Sequence, residues 1–118
     1  MMKDGTSIEQ RSIVLLPFPY TDLSSAKKRP ALVVSNNRFN KASDDVVCCL
    51  ITSNPAEVPH IISVTNKDME KGFLEFDSKI KPYRLFTVSK RIVYKTIGLL
   101  KKEKYVLVAG EIRNLVEV

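Results

Sequence analysis

The chain has 118 residues, enough for one hydrophobic core but not for two, so we predict a single domain over residues 1–118. Apolar residues make up 44% of it, as in folded proteins, and no apolar run approaches the roughly 18 residues that a membrane span requires. The net charge of +6 favours a polyanionic partner over a membrane, because no basic amphipathic helix with aromatic anchors is visible.

The first half of the chain is predicted to form strands separated by loops. Residues 1–10 are polar and lack the apolar segment of a signal peptide, so we expect a frayed N-terminus and a cytoplasmic protein. Apolar and β-branched runs predict strands over 12–18, 30–35 and 46–52, and residues 36–40 are expected to form a short helical turn or loop. The third run is apolar throughout, which is typical of a strand buried on both faces.

The second half is predicted to continue in short strands and to end in a helix. Strands are expected over 60–64, 73–76, 85–89 and 92–94, the last of which also suits the start of a short helix. Apolar residues then recur at helical spacing, at Tyr105, Val108, Ala109, Ile112, Leu115 and Val116. This pattern predicts an α+β fold, mostly β, with a small, strongly bent antiparallel sheet or barrel and one packed helix.

The two cysteines, Cys48 and Cys49, are neighbours in the third apolar run. Adjacent residues of a strand point to opposite faces, so these thiols are not placed to form a disulfide. Their spacing is not that of a zinc site either. We therefore predict no structural disulfide, no metal and no cofactor.

The positive charge is concentrated in one stretch of the sequence. Residues 79–104 contain nine basic residues and one acidic residue, whereas residues 1–78 and 105–118 each have a balance of −1. Within this stretch, Lys81, Arg84, Lys90 and Arg91 are expected to contact the phosphates of a nucleic acid, which would make binding weaken as salt is added. Lys101, Lys102 and Lys104 are interpreted mainly as solvated surface charges.

A second candidate phosphate site lies where the first loop enters the second strand. Lys27, Lys28 and Arg29 stand there directly before Pro30. The Arg29 guanidinium offers five donors in a planar fork that suits phosphate oxygens, and Pro30 biases Arg29 towards an extended backbone. The competing interpretation is a structural arginine that pairs with a carboxylate.

The chain resembles the MazF/PemK family of toxins over most of its length. The resemblance is carried, in the family's order, by residues 13–18, 28–33, Ser35, Phe39-Asn40, Ile51-Thr52-Ser53, 85–92 and 97–100. It implies an SH3-like barrel with helical additions. Two features depart from the family: Arg11-Ser12 replaces the usual Gly-Asp before the first strand, and Ser24-Ser25-Ala26 replaces a loop glycine.

The resemblance also implies an activity and a site. The expected function is metal-independent cleavage of single-stranded mRNA at a short sequence, by the toxin of a toxin–antitoxin pair. Arg29 would be the catalytic arginine, stabilising the phosphorane and helping to protonate the departing 5′-oxygen. Thr52 would hydrogen-bond a phosphate oxygen, with Ser53 beside it. The products would be a 2′,3′-cyclic phosphate and a 5′-hydroxyl.

The residues themselves allow this chemistry but do not identify the general base. His60 is the only histidine, which excludes a two-histidine mechanism, and the carboxylate pairs do not suit two-metal catalysis. Asp22 and His60 are candidates for the base, and neither is assigned. Thr52 has a plain alternative, since β-branched residues favour strands. Tyr20 is expected to stack on an unpaired base, whereas the neighbouring Phe18 suits the core.

Three functions therefore compete at this point. The first is the endoribonuclease toxin, expected as a homodimer that an acidic MazE-like antitoxin inhibits. The second is a non-enzymatic poison of DNA gyrase like the CcdB toxins, which have a similar fold. The third is a nucleic-acid-binding domain that has lost its catalytic activity.

Overall fold

The computed structural model describes residues 7–17, 28–54 and 59–118 of the chain. These residues form a sheet whose strands are β1 (Ser12–Pro17), β2 (Lys28–Val33), β3 (Asp45–Thr52), β4 (Ile62–Val64), β5 (Met69–Gly72), β6 (Ser78–Ser89) and β7 (Lys95–Leu100). Two α-helices lie in the same described part, α1 (Asn37–Ala42) and α2 (Lys102–Val116). Neither is long and apolar enough to cross a membrane.

The sheet is antiparallel throughout the described strands and is curled into a half-barrel. Its strand order is β4-β6-β3-β2-β1-β7-β5, so that β2 and β3 lie near the middle. The α+β, mostly β fold and the C-terminal helix are therefore confirmed. Helix α2 buries Val108 and partly buries Tyr105 and Ile112, as the helical spacing predicts, but it leaves Leu115 exposed.

Apolar residues pack on both faces of the sheet. The inner cluster contains Ile13, Leu32, Cys49, Ile51, Val64, Met69, Leu74, Ile80, Leu100 and Val108, and helix α2 covers it. The outer cluster contains Ile8, Val14, Leu16, Ala31, Val33, Val46, Cys48 and Val93. Strand β3 contributes to both clusters, which explains why its sequence is apolar without alternation.

The cysteines lie in this doubly buried strand. Both thiols are free, with Cys48 in the outer cluster and Cys49 in the inner one. Burial raises the pKa of Cys48 to about 12. Burial, with a smaller contribution from Cys48, also raises the pKa of Cys49. Both thiols therefore remain protonated in the folded protein at neutral pH.

Three local expectations need adjustment. Within the expected frayed terminus over residues 1–10, Ile8 is buried and Gln10 Nε2 donates to the Val34 carbonyl at 2.9 Å, so these two residues are held by the fold. The strand expected over 73–76 is absent. The chain pairs earlier, as β5, and leaves the sheet after Gly72, whose φ of +80° favours glycine. Over 92–94 the structure agrees with the short-helix alternative rather than the strand: a 3₁₀ turn covers Lys90–Ile92, and Val93 and Tyr94 belong to no strand.

Candidate active site

The pairing of β2 with β3 brings Arg29 and Thr52 to the same edge of the sheet. On these two strands Ala31 lies opposite Leu50, Leu32 opposite Cys49, and Val33 opposite Cys48. The same register, continued by two residues, sets Arg29 opposite Thr52. The ladder weakens at this point because Pro30 has no N–H to donate.

Both side chains belong to the outer face of the sheet. Arg29 pairs with Leu16 on β1, and Leu16 is buried in the outer cluster. Thr52 follows Val46 and Cys48 at two-residue steps, and both of those residues pack in the same cluster. Opposite residues in an antiparallel pair share a face, so Arg29 and Thr52 flank one position on the surface.

The Thr52 hydroxyl is oriented by the chain that follows it. The Asn54 backbone N–H donates to Thr52 Oγ1 at 3.1 Å. A hydroxyl has one proton to give and two lone pairs, so this bond uses a lone pair and leaves the proton available. Thr52 is thus arranged as a hydrogen-bond donor, the role that a phosphate oxygen requires.

The Arg29 side chain is exposed at the start of β2. Among residues 7–17, 28–54 and 59–118, no carboxylate pairs with it and no backbone carbonyl accepts from it. The structural interpretation of Arg29, a guanidinium held by a carboxylate, therefore has no support in the described part of the chain.

Lys79, which was not among the residues predicted from the sequence to bind RNA, lies beside Arg29 and Thr52. Strand β6 sets Lys79 opposite Thr52, and β4 sets Ser63 opposite Lys79. We call Arg29, Thr52, Lys79 and Ser63 the polar row. The signal was present in the alternation of Lys79, Ile80 and Lys81, but the expected strand over 85–89 began too late to include it.

Three of the predicted RNA contacts lie close to the polar row. Lys81 pairs with Leu50, two residues from Thr52 along β3, and is half-buried on the same face as Lys79. Arg84 is exposed in a bulge of β6, between the pairs Lys81–Leu50 and Leu85–Cys49. Ser53 is exposed directly after β3.

Lys28, Lys90 and Arg91 lie elsewhere. Lys28 alternates with Arg29 onto the opposite face of β2, where its Nζ lies 4.5 Å from the centre of the Tyr94 ring. Lys90 donates from Nζ to the Asn40 carbonyl at 2.7 Å, and Arg91 is exposed beside it. These two residues follow the end of β6 that pairs with Asp45, roughly 20 Å along β3 from Thr52 at about 3.3 Å per residue. Tyr20 lies outside the described residues.

His60, the candidate base that the structure describes, does not lie at the polar row. Asp22 lies outside the described residues, as does Phe18. His60 is exposed, with Nδ1 3.8 Å from Glu111 Oε1 of helix α2, and α2 covers the inner face rather than the outer one. Among the described residues, no three histidine, cysteine or acidic side chains form a group able to hold a metal ion.

Comparison with known proteins identifies the family. A family model described as PemK-like, MazF-like toxin of type II toxin-antitoxin system matches residues 9–116. The match spans nearly the whole chain, so this protein belongs to that family. A comparison with curated protein sequences gives no match.

Solved structures of low sequence identity share the fold. MazF from Deinococcus radiodurans is 17% identical, with a TM-score of 0.75 over 96% of this chain and 99% of that chain. A mycobacterial endoribonuclease in complex with its cognate antitoxin is 15% identical, with a TM-score of 0.76 over 95% and 97%. The Mycobacterium tuberculosis toxin MazF-mt6 is 18% identical, with a TM-score of 0.72 over 92% and 98%.

Proposed function

We propose that this protein is a metal-independent endoribonuclease that cleaves single-stranded RNA at a short sequence, as the toxin of a toxin–antitoxin system. The observation that carries the proposal is the register that sets Arg29, which is exposed and has no partner among the described residues, opposite the oriented hydroxyl of Thr52. Family membership and the resemblance to structures named as endoribonucleases support the same activity.

The proposed reaction is an internal transfer within the RNA. The ribose 2′-oxygen forms a bond to the neighbouring phosphorus while the bond from phosphorus to the 5′-oxygen breaks. The 2′-hydroxyl loses its proton to a base that we do not assign, and the departing 5′-oxygen gains one. The products are a 2′,3′-cyclic phosphate and a 5′-hydroxyl.

Arg29 and Thr52 have separate roles in this proposal. Negative charge builds up on the phosphoryl oxygens as the 2′-oxygen adds, and the Arg29 fork stabilises it and favours protonation of the leaving oxygen. Thr52 donates its hydroxyl proton to one phosphoryl oxygen and holds the phosphorus in line for attack. Lys81, Arg84 and Ser53 are proposed to contact flanking parts of the RNA.

The decisive experiment is cleavage of a long single-stranded RNA by the purified protein in excess EDTA. We expect cuts at one short sequence, with fragments whose 5′ ends accept phosphate from a kinase directly and whose 3′ ends resist ligation until the cyclic phosphate is opened. Intact RNA over a wide range of sequences would reject the proposal. RNA binding without cleavage would instead favour an inactive binding domain, and gyrase inhibition that survives Arg29→Ala would favour the CcdB-like alternative.

The proposed protein partner is an acidic antitoxin. The excess positive charge of residues 79–104 includes Lys79, Lys81 and Arg84, so an acidic segment can compete with RNA for this surface. One structural neighbour is an endoribonuclease in complex with its cognate antitoxin, which supports such a partner. A small acidic protein encoded next to this one should inhibit cleavage, and added salt should weaken the inhibition.

We also propose that the protein forms a homodimer. An apolar groove of ≈ 770 Å³ lies between β6 and the end of α2, lined by Pro59, His60, Pro82, Tyr83, Glu111, Asn114 and Leu115. Beside this groove, Leu115 and Val116 are 53% and 70% exposed. Adjacent exposed apolar side chains of this kind are typical of a protein–protein contact. Sedimentation velocity should give a dimer that Leu115→Asp dissociates, whereas Lys102→Asp, at the other end of the helix, should leave it intact.

A further inference from the structure

Lys79 belongs to the polar row, but the roles proposed for Arg29 and Thr52 leave it without a function. Strand β6 sets Lys79 directly across from Thr52, on the side away from Arg29. Neighbouring strands are about 4.8 Å apart, so the backbones of Arg29 and Lys79 are separated by roughly 10 Å. Thr52 lies between them on the strand that separates β2 from β6, and the three residues share the outer face.

The face of Lys79 is fixed by its neighbours in β6. Ser78 and Ile80 are buried, and Ile80 belongs to the inner cluster. Lys79 and Lys81 therefore point to the outer face, where both are half-buried. A charge on a half-buried stem is limited in its positions, so Lys79 is held near Thr52 more firmly than a lysine on a loop would be.

The spacing of the row indicates that the two cations bind different phosphates. In the proposed site Arg29 and Thr52 bind the same phosphate, and the guanidinium fork suits the charge that builds up there. Lys79 lies one strand further on, beside the exposed Ser63 of β4, and an ammonium is a point charge suited to a phosphate that does not change during the reaction. An RNA strand that runs along the row meets these groups in order.

We propose that Lys79 binds the phosphate next to the scissile one and so fixes the register of the RNA in the site. This inference rests on the endoribonuclease function proposed above. It makes Lys79 a positioning residue, whose loss weakens substrate binding while the chemical step on bound substrate continues.

The first test compares Lys79→Met with wild type on a short RNA that contains the mapped cut site. We expect KM to rise about tenfold with kcat nearly unchanged, because binding to an unreacting phosphate is equal in the ground and transition states. The salt dependence of binding should also fall, by about 0.7 in the slope of log K against log salt for one lost phosphate contact. Lys41→Met, an exposed lysine on α1, serves as the matched control and should change neither quantity.

The second test identifies the phosphate. A neutral methylphosphonate replaces one linkage at a time on either side of the cut, in reactions with wild type and with Lys79→Met. At the linkage that Lys79 contacts, the two changes should not add, since each removes the same interaction. Full additivity at both flanking linkages, or a fall in kcat with KM unchanged, would overturn the inference. Failure of the wild type to cleave would reject the proposed function itself, which keeps the two outcomes distinct.

Discussion

The two ends of β3 use their polar residues in opposite ways. At the end that carries Arg29 and Thr52, the guanidinium has no partner among the described residues and the threonine proton remains available. At the other end, which we call the anchored end and define by Arg11, Asn40 and Lys90, the polar groups bond to the backbone. One end holds the fold together, and the other is the end at which we propose that RNA binds.

The polar atoms of Asn40, at the anchored end, are all hydrogen-bonded within the protein. It is only 2% exposed, and its Nδ2 donates to the carbonyls of Ile8 at 3.1 Å and Ser35 at 3.0 Å. Its Oδ1 accepts from Ser35 Oγ at 2.5 Å, and its own carbonyl accepts from Lys90. A binding surface cannot be made from groups that are already used in this way.

The largest effect should come from Arg29→Ala. We expect kcat to fall by a factor of about 10²–10³, because a preorganised donor to the transition state is lost. The free energy of unfolding should change by less than about 0.5 kcal/mol, since the side chain is exposed. Single-turnover cleavage and urea unfolding measure the two quantities.

Arg29→Lys is the informative companion variant. It keeps the charge but loses the planar fork, so the rate should lie between those of wild type and Arg29→Ala. If Arg29→Ala cleaves as fast as wild type, Arg29 is not part of the mechanism and the comparison between the two ends fails.

Asn40→Ala, at the anchored end, is expected to lower stability and leave kcat nearly unchanged. The change leaves the carbonyls of Ile8, in a buried bond, and Ser35, in a part-buried one, without their donor, and an unsatisfied buried group costs about 1–3 kcal/mol. The free energy of unfolding should fall by about 3 kcal/mol, while kcat per folded molecule stays close to that of wild type. Urea unfolding and activity corrected for the folded fraction would show this. A large loss of kcat in fully folded Asn40→Ala would mean that the ends are coupled.

The sequence predicts which segments are buried, but it does not predict which lysines lie at which end of β3. The apolar run of β3 and the helical spacing of α2 report burial directly, so these elements were predicted nearly to their ends. Lys79, Lys81 and Lys90 are alike as residues, and only the register of β6 with β3 assigns the first two to one end and the third to the other. A bulge of three residues in β6 sets that register, and periodicity does not reveal it.

The middle of β3 offers a test that depends on neither end. Both thiols there have a raised pKa, to about 12 for Cys48, against roughly 8.5 in an unfolded chain. Below pH 8.5 both states keep the protons and the thiols add no pH dependence. Above it the unfolded chain loses them first, so stability should fall by about 1.4 kcal/mol per pH unit for each thiol, until the folded pKa is reached.

Urea unfolding in reducing buffer at pH 8 and pH 9.5 would measure this fall. The double variant Cys48→Ala/Cys49→Ala should be less stable at pH 8 but should lose less stability between the two pH values. An equal loss in the double variant and the wild type would show that other groups cause the pH dependence.

The smallest expected effect concerns the backbone of Arg11, at the anchored end. Arg11 donates from Nη1 to the Leu100 carbonyl at 2.7 Å and pairs with Glu70 at 3.1 Å, yet its φ of 78° lies in the region that favours glycine. The glycine that the family resemblance implies at this position would adopt this backbone without strain, whereas Arg11 offsets the strain with side-chain bonds.

Arg11→Ala loses those bonds and keeps the strain, whereas Arg11→Gly loses the bonds and relieves it. We expect Arg11→Gly to be the more stable of the two by about 1 kcal/mol, the usual cost of a left-handed residue that has a Cβ. Urea unfolding of the two variants beside wild type gives the difference directly. If Arg11→Ala proves equal to or more stable than Arg11→Gly, the backbone at Arg11 is not strained, and the side-chain bonds alone account for its place at the anchored end.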